Sequence, residues 1–268
     1  MGEIETADDY LELAERTTSK KKRLNYLKKA LELEPDNVDA QLQLILTKTE
    51  GAPEERLISL ECLIKKAAEP LEEEDCFERE KGMFWGVIET RSYMRVRREY
   101  LASLIKCGMM QLAIEECQQL LELCEEDNLG VRYTLMHLYA YAEDELHALA
   151  LHRKYDAYEE TQMLLPLSIL YYKLQQLDKE EDHLMRLASV NKDTKKFLWI
   201  MINGEPAALI DHLEPYGYRP FTIEELIEDL VGNAFLFSAV PHFFAWASKC
   251  MSKRTGSREK GTIAEKYR

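Results

Sequence analysis

Residues 23–37 read RLNYLKKALELEPDN, and this stretch decides the fold class. Its apolar residues, Leu24, Leu27, Ala30, Leu31 and Leu33, recur every three or four positions, which places them on one face of an α-helix. Pro35 stops that helix, because proline has no backbone N–H and its ring clashes with the preceding turn. Asp36 and Asn37 then supply a turn and an N-cap for a following helix. A helix with a single apolar face must bury it against a neighbour.

The composition agrees with a chain built from such helices. Among 268 residues there are only 11 Gly and 8 Pro, while Leu, Glu, Lys and Ala abound. Strand-rich folds need more turn residues and more β-branched side chains. Hydrophobic residues make up 46% and charged residues 31%, as in an ordered, charge-rich chain. The net charge of -14 argues against general nucleic-acid binding, which needs a basic face to neutralise phosphates.

The N-terminus, MGEIETADDYLELAERTT, has no basic segment followed by an apolar core, so it is not read as an export signal. The most apolar run, residues 233–248, is too short to span a bilayer and contains Asn, Pro and His. No two of the six cysteines are two to four residues apart, so the paired spacing of a zinc site is absent. They are expected to be reduced thiols in a cytoplasmic protein, with Cys117 and Cys124 buried on an apolar helix face.

The helix ending ALELEPDN resembles the second helix of a tetratricopeptide repeat, and a repeat can be tested by its period of 34 residues. In a first unit, about 4–37, Leu27, Ala30 and Pro35 fill consensus slots. A unit at about 94–127 places Tyr100, Leu101 and Leu104 in its first helix, Gly108 in the turn, and Ala113 and Cys117 in its second helix. Units at about 128–160 (Val131, Leu135, Leu138) and 161–193 (Leu164, Leu167, Ser168, Tyr171) keep the same phase.

There are departures. No unit has the consensus Trp, Glu125 and Lys192 replace the terminal Pro, and Arg23 and Glu180 stand where a small Ala is usual. Residues 38–93 fit poorly and are expected to hold one degenerate helix pair followed by an acidic connector, EPLEEEDCFERE.

A closer resemblance covers roughly 83–140. The segments FWGVIETRSYMR (84–95) and DNLGVRY (127–133) are similar to those of a group of bacterial tetratricopeptide proteins related to the suppressor-of-tumorigenicity-7 family. The resemblance implies a helix-pair solenoid and a concave groove for peptides, but no reaction.

After residue 193 the pattern changes. Thr222 and Glu225 have the spacing of a capping box opening a helix. Phe235, Phe237, Phe243, Phe244 and Trp246 need burial, and a solenoid's last repeat exposes an apolar face that they can cover. The expected organisation is all-α: tetratricopeptide-type repeats over 1–193 (irregular at 38–93), a C-terminal helical cap over 194–248, and a basic mobile tail over 249–268.

One constellation stands out against the acidic background. The run RSYMRVRR (91–98) holds four arginines, of which Arg91, Arg95 and Arg98 share a helical stripe while Arg97 points elsewhere. In the repeat phase, Arg95, Arg98 and Lys106 face the groove. The same phase puts Arg132, Tyr133, Met136 and Tyr139 on the concave side of the next unit, and Tyr172 on the one after. Guanidinium groups beside aromatic and Met surface suit an acidic peptide or a carboxylate. The plainer alternative is that these arginines pair with acidic neighbours such as Glu99, Glu89 and Glu115 and hold helices together.

Catalytic signatures are missing. There is no HExxH, no phosphate loop and no nucleophile elbow, and His147 and His152 are one residue off the spacing of two ligands on one helix. The expectation is a non-catalytic scaffold without cofactor or metal, binding a protein or peptide partner through residues 91–140. The alternative is self-association as a homodimer through the aromatic C-terminal region.

Overall fold

The helix read from residues 23–37 ends where its chemistry dictates. In a computed structural model, which describes residues 6–204 and 217–252, α2 (Lys20–Leu33) stops before Pro35. Asn37 then caps α3 (Val38–Lys48), accepting the Ala40 N–H at 2.9 Å. Before them lies α1 (Ala7–Arg16), opened by a reciprocal capping box between Thr6 and Asp9. Among the described residues the chain is helical without strands, and it divides into two compact units, Met1–Val131 and Arg132–Arg268. That division lies inside the stretch 1–193 that periodicity groups together.

The first unit continues with α4 (Pro53–Glu73), α5 (Cys76–Arg79), α6 (Ile88–Lys106) and α7 (Met110–Leu123). Sequence neighbours pack together, and α6 also packs on both α3 and α4. Where α1, α2 and α3 meet, Ala7, Ala30 and Ala40 are buried, and their small side chains let the helices approach closely. Leu42, Leu60, Leu63 and Val96 form the core joining α3, α4 and α6. Each leucine buried there contributes roughly 1.5–3 kcal/mol.

Much of the expected acidic connector is helix. α4 runs through Pro70 to Glu73, because burial of Ala67 and Leu71 holds a last turn that proline weakens. The true connector is residues 80–87, and it is pinned to the end of α7. The Phe84 N–H donates to the Leu123 carbonyl (3.0 Å) and the Glu125 N–H to the Gly82 carbonyl (2.9 Å). Gly82 sits at φ +84°, where a side chain would be strained and would crowd Glu125. Phe84 is wholly buried, its ring 5.2 Å from Phe77 and 6.2 Å from Tyr93.

The second unit comprises α8 (Val131–Ala142), α9 (Glu145–Lys154), α10 (Thr161–Lys173), α11 (Leu177–Val190) and α12 (Thr194–Asn203). After residues outside the described set come α13 (Ile223–Gly232), α14 (Ala234–Ala239) and α15, residues 243–252. α10 is central. It is buried continuously from Thr161 to Tyr171 and packs against α9, α11 and α13. The pairs α8–α9 and α10–α11 fall within the units expected at 128 and 161. The pair α6–α7 begins at Ile88, ahead of the unit read at about 94–127, and Gly108 makes its turn at φ +73°.

The capping box expected at Thr222 forms only in half. Thr222 accepts the Glu224 N–H at 3.2 Å, whereas the Glu225 carboxylate accepts from the Phe221 N–H and the Thr161 hydroxyl, both at 2.7 Å. Tertiary contact redirects the acid that local sequence assigns to the cap. Phe237, Phe243 and Phe244 are buried, as the C-terminal aromatics require. α15 runs four residues into the stretch read as a tail, and the remainder of that stretch lies outside the described residues. No helix among the described residues is long and apolar enough to cross a membrane.

Candidate functional site

The four arginines of α6 have four different environments. Arg91 donates from Nε to the Trp85 carbonyl at 2.7 Å and lies 5.9 Å from the Trp85 ring centre. With Thr90, whose hydroxyl donates to the carbonyls of Phe84 and Val87, it fixes the connector to the first turn of α6. Much of the motif 84–95 is therefore architecture.

Arg95 meets Asp39 at the start of α3 in a two-pronged contact, Nε to Oδ1 at 2.7 Å and Nη2 to Oδ2 at 2.5 Å. The hydrogen bond to Asp39 raises its pKa further above the ordinary arginine value, ahead of an opposing effect of burial. The pair is partly exposed, 42% and 31% at the two side chains, which limits its net contribution to about 1 kcal/mol.

Arg97 turns inward. Its Nε and Nη2 grip the Glu116 carboxylate, with Nη2 to Oε2 at 2.8 Å. Nη1 donates to the Tyr93 hydroxyl (2.9 Å) and Nη2 also to the Gln119 amide oxygen (2.8 Å). Both charged side chains are 8% exposed. Glu116 sits in the buried stripe Ala113, Glu116, Cys117, Leu120 of α7. An acid in such a stripe needs a cation, and that is the sequence signal for this pair.

Arg98 and Lys106 remain. Both are exposed, and neither has a hydrogen bond or ion pair with a described residue. Between them, Tyr100 donates its hydroxyl to Glu61 on α4 at 3.0 Å, and burial with this contact pushes its pKa up to about 12.

In the second unit the expected groove residues separate. Arg132 lies over Tyr133 and Tyr155, 4.3 and 5.2 Å from the ring centres, and pairs with Glu160 at 3.5 Å. Burial raises the Tyr133 pKa against the opposing pull of Arg132. Met136 and Tyr139 offer no surface to a partner: they are 0% and 5% exposed. The sequence reading gave α8 one open face, but Leu135 to Ala140 are all buried, so this helix is covered on every side there. Tyr172 is half-buried against Phe243 and Trp246 of α15, at 5.5 and 5.8 Å.

Sequence reasoning missed a polar contact deep in this unit. His137 on α8 is fully buried, with Nδ1 2.7 Å from the Tyr133 carbonyl and Nε2 3.1 Å from Asp229 Oδ2 on α13. Asn233 donates to the other Asp229 oxygen at 3.1 Å. The imidazole joins two helices. Among the described residues no group of three or more His, Cys, Asp and Glu side chains is placed to hold a metal ion. No protein-family model and no curated protein matches this chain.

Proposed function

We propose that this chain is a non-catalytic scaffold of the tetratricopeptide-repeat type, related to the group its 84–95 and 127–133 segments resemble. It binds a protein partner through an acidic segment laid along the α6 face bearing Arg95, Arg98 and Lys106. One observation carries this reading: in a chain of net charge -14, Arg98 and Lys106 stand exposed without an acid among the described residues, although Arg95 and Arg97 in the same helix have theirs. Cations left unpaired on a rigid helix attract carboxylates, and the Arg95–Asp39 contact fixes the neighbouring guanidinium. Six free thiols suit a reducing, cytoplasmic setting. Self-association through the C-terminal aromatics is less favoured, since Phe237, Phe243 and Phe244 are buried.

The test is fluorescence anisotropy with a labelled peptide of alternating Glu and Leu. Wild type is expected to bind with an affinity that falls as salt rises. Arg98→Glu with Lys106→Glu is expected to weaken binding by about tenfold or more, equivalent to about 1.4 kcal/mol. Both positions are exposed, so circular dichroism of the variant stays that of the wild type. Equal affinity of the folded variant and the wild type would remove this face from the function. Arg132 is left unaltered, since its contacts with Tyr133, Tyr155 and Glu160 are architectural.

A further inference from the structure

On another side of α6, within the first unit, lies a cavity of about 300 Å³ lined by Phe77, Lys81, Arg97, Gln119, Glu122 and Leu123. Its walls are fixed. The backbone bonds between 82–84 and 123–125 hold the segment after Lys81 against the end of α7, and Phe77 packs edge-on to Tyr93 at 5.5 Å.

The donors of this cavity are not used up by the protein. Arg97 has five N–H groups, of which four serve Glu116, Tyr93 and Gln119. The Gln119 oxygen accepts from Arg97, leaving its amide N–H groups without a described partner. Lys81 and Glu122 are exposed, and neither has a hydrogen bond or ion pair with a described residue. Since Glu116 balances Arg97, the surplus charges are one cation and one anion on the same small cavity. That pairing disfavours a simple anion or cation and suits a molecule carrying both charges. Phe77 and Leu123 add an apolar wall.

We propose that this cavity binds a free α-amino acid with an apolar side chain. Its carboxylate meets Lys81, the Gln119 amide and the spare Arg97 N–H; its ammonium meets Glu122; its side chain lies against Phe77 and Leu123. The volume of about 300 Å³ has room for one such molecule.

Isothermal titration calorimetry of the full chain with free leucine tests this. Leucine is expected to bind, while leucinamide, lacking the carboxylate, and N-acetyl-leucine, lacking the ammonium, each bind about tenfold more weakly or not at all. Lys81→Ala and Glu122→Gln, both exposed, are expected to keep the fold and to weaken leucine by about tenfold each. Arg98→Glu with Lys106→Glu leaves leucine binding unchanged, which separates this site from the partner-binding face. No heat with leucine at millimolar concentration overturns the proposal. So does a blocked form or either variant that binds as wild type does.

Discussion

Arg97→Met is expected to lower stability by about 3–5 kcal/mol. The cause is the carboxylate left behind more than the lost attraction. Glu116 is 8% exposed and receives both Nε and Nη2 of Arg97, so without the guanidinium it becomes a buried charge with no counter-ion. Tyr93 and Gln119 lose a donor at the same time. Adding Glu116→Leu to Arg97→Met should restore most of the loss, because an apolar pair of similar volume fills the α6–α7 contact without desolvated charge. Urea unfolding followed by circular dichroism measures all three proteins. A cost of under about 1 kcal/mol for Arg97→Met would mean that water reaches the pair and that it behaves as a surface bridge. By contrast, Arg95→Ala breaks a half-exposed contact and is expected to cost no more than about 1 kcal/mol.

The second large effect has the opposite sign. Glu180 sits in the buried stripe Glu180, His183, Leu184, Leu187 of α11, fully buried, and neither carboxylate oxygen has a hydrogen-bond partner. Burial first, and the charge of Glu181 second, push its pKa from the ordinary 4.5 up to about 8. The folded state therefore holds a proton that the unfolded chain releases. Below about pH 4.5 both states are protonated and the carboxyl adds no pH-dependent penalty. Between that pH and about 8, stability falls as pH rises, and above about 8 the penalty is complete.

Glu180→Gln cannot ionise and so removes the slope. Its advantage over wild type should be small at pH 5 and grow to about 2–4 kcal/mol at pH 9. Urea unfolding of both proteins across that range measures it. A difference that stays constant with pH would show that the native carboxylate is hydrated or paired. The sequence marks this position as odd, since an acid stands where the repeat pattern favours a small residue. The stripe gives no hint of how the acid is accommodated, because its ionisation depends on the helices that cover it.

The arginine run of α6 shows how far such marks carry. The gathering of positive charge at 91–98 was legible, and so was the choice between a binding face and structural pairing. Arginines with partners and one without share the helix. Arg91, Arg95 and Arg97 have partners, while Arg98, one residue beyond the most buried of them, has none among the described residues. Of the expected partners, Glu89 and Glu99 are local in sequence and Glu115 is the residue next to a real one; the partners found are Asp39, 56 residues from Arg95, and Glu116, 19 residues from Arg97. In the second unit, the phase that placed Met136 and Tyr139 on a groove assumed a helix covered on one side only.

The sequence by itself determined that the chain is helical and where several helices begin or end, at Pro35, Asn37, Gly108 and Thr222. These are local properties: an apolar period, a missing N–H, a capping oxygen or a left-handed turn is encoded within a few residues. Tertiary structure alone decided which arginine meets which acid, which faces of α8 are covered, and that Glu180 and His137 lie buried. Those outcomes depend on the identity of groups brought together from distant segments and on the water that their packing removes. A period along one helix records neither.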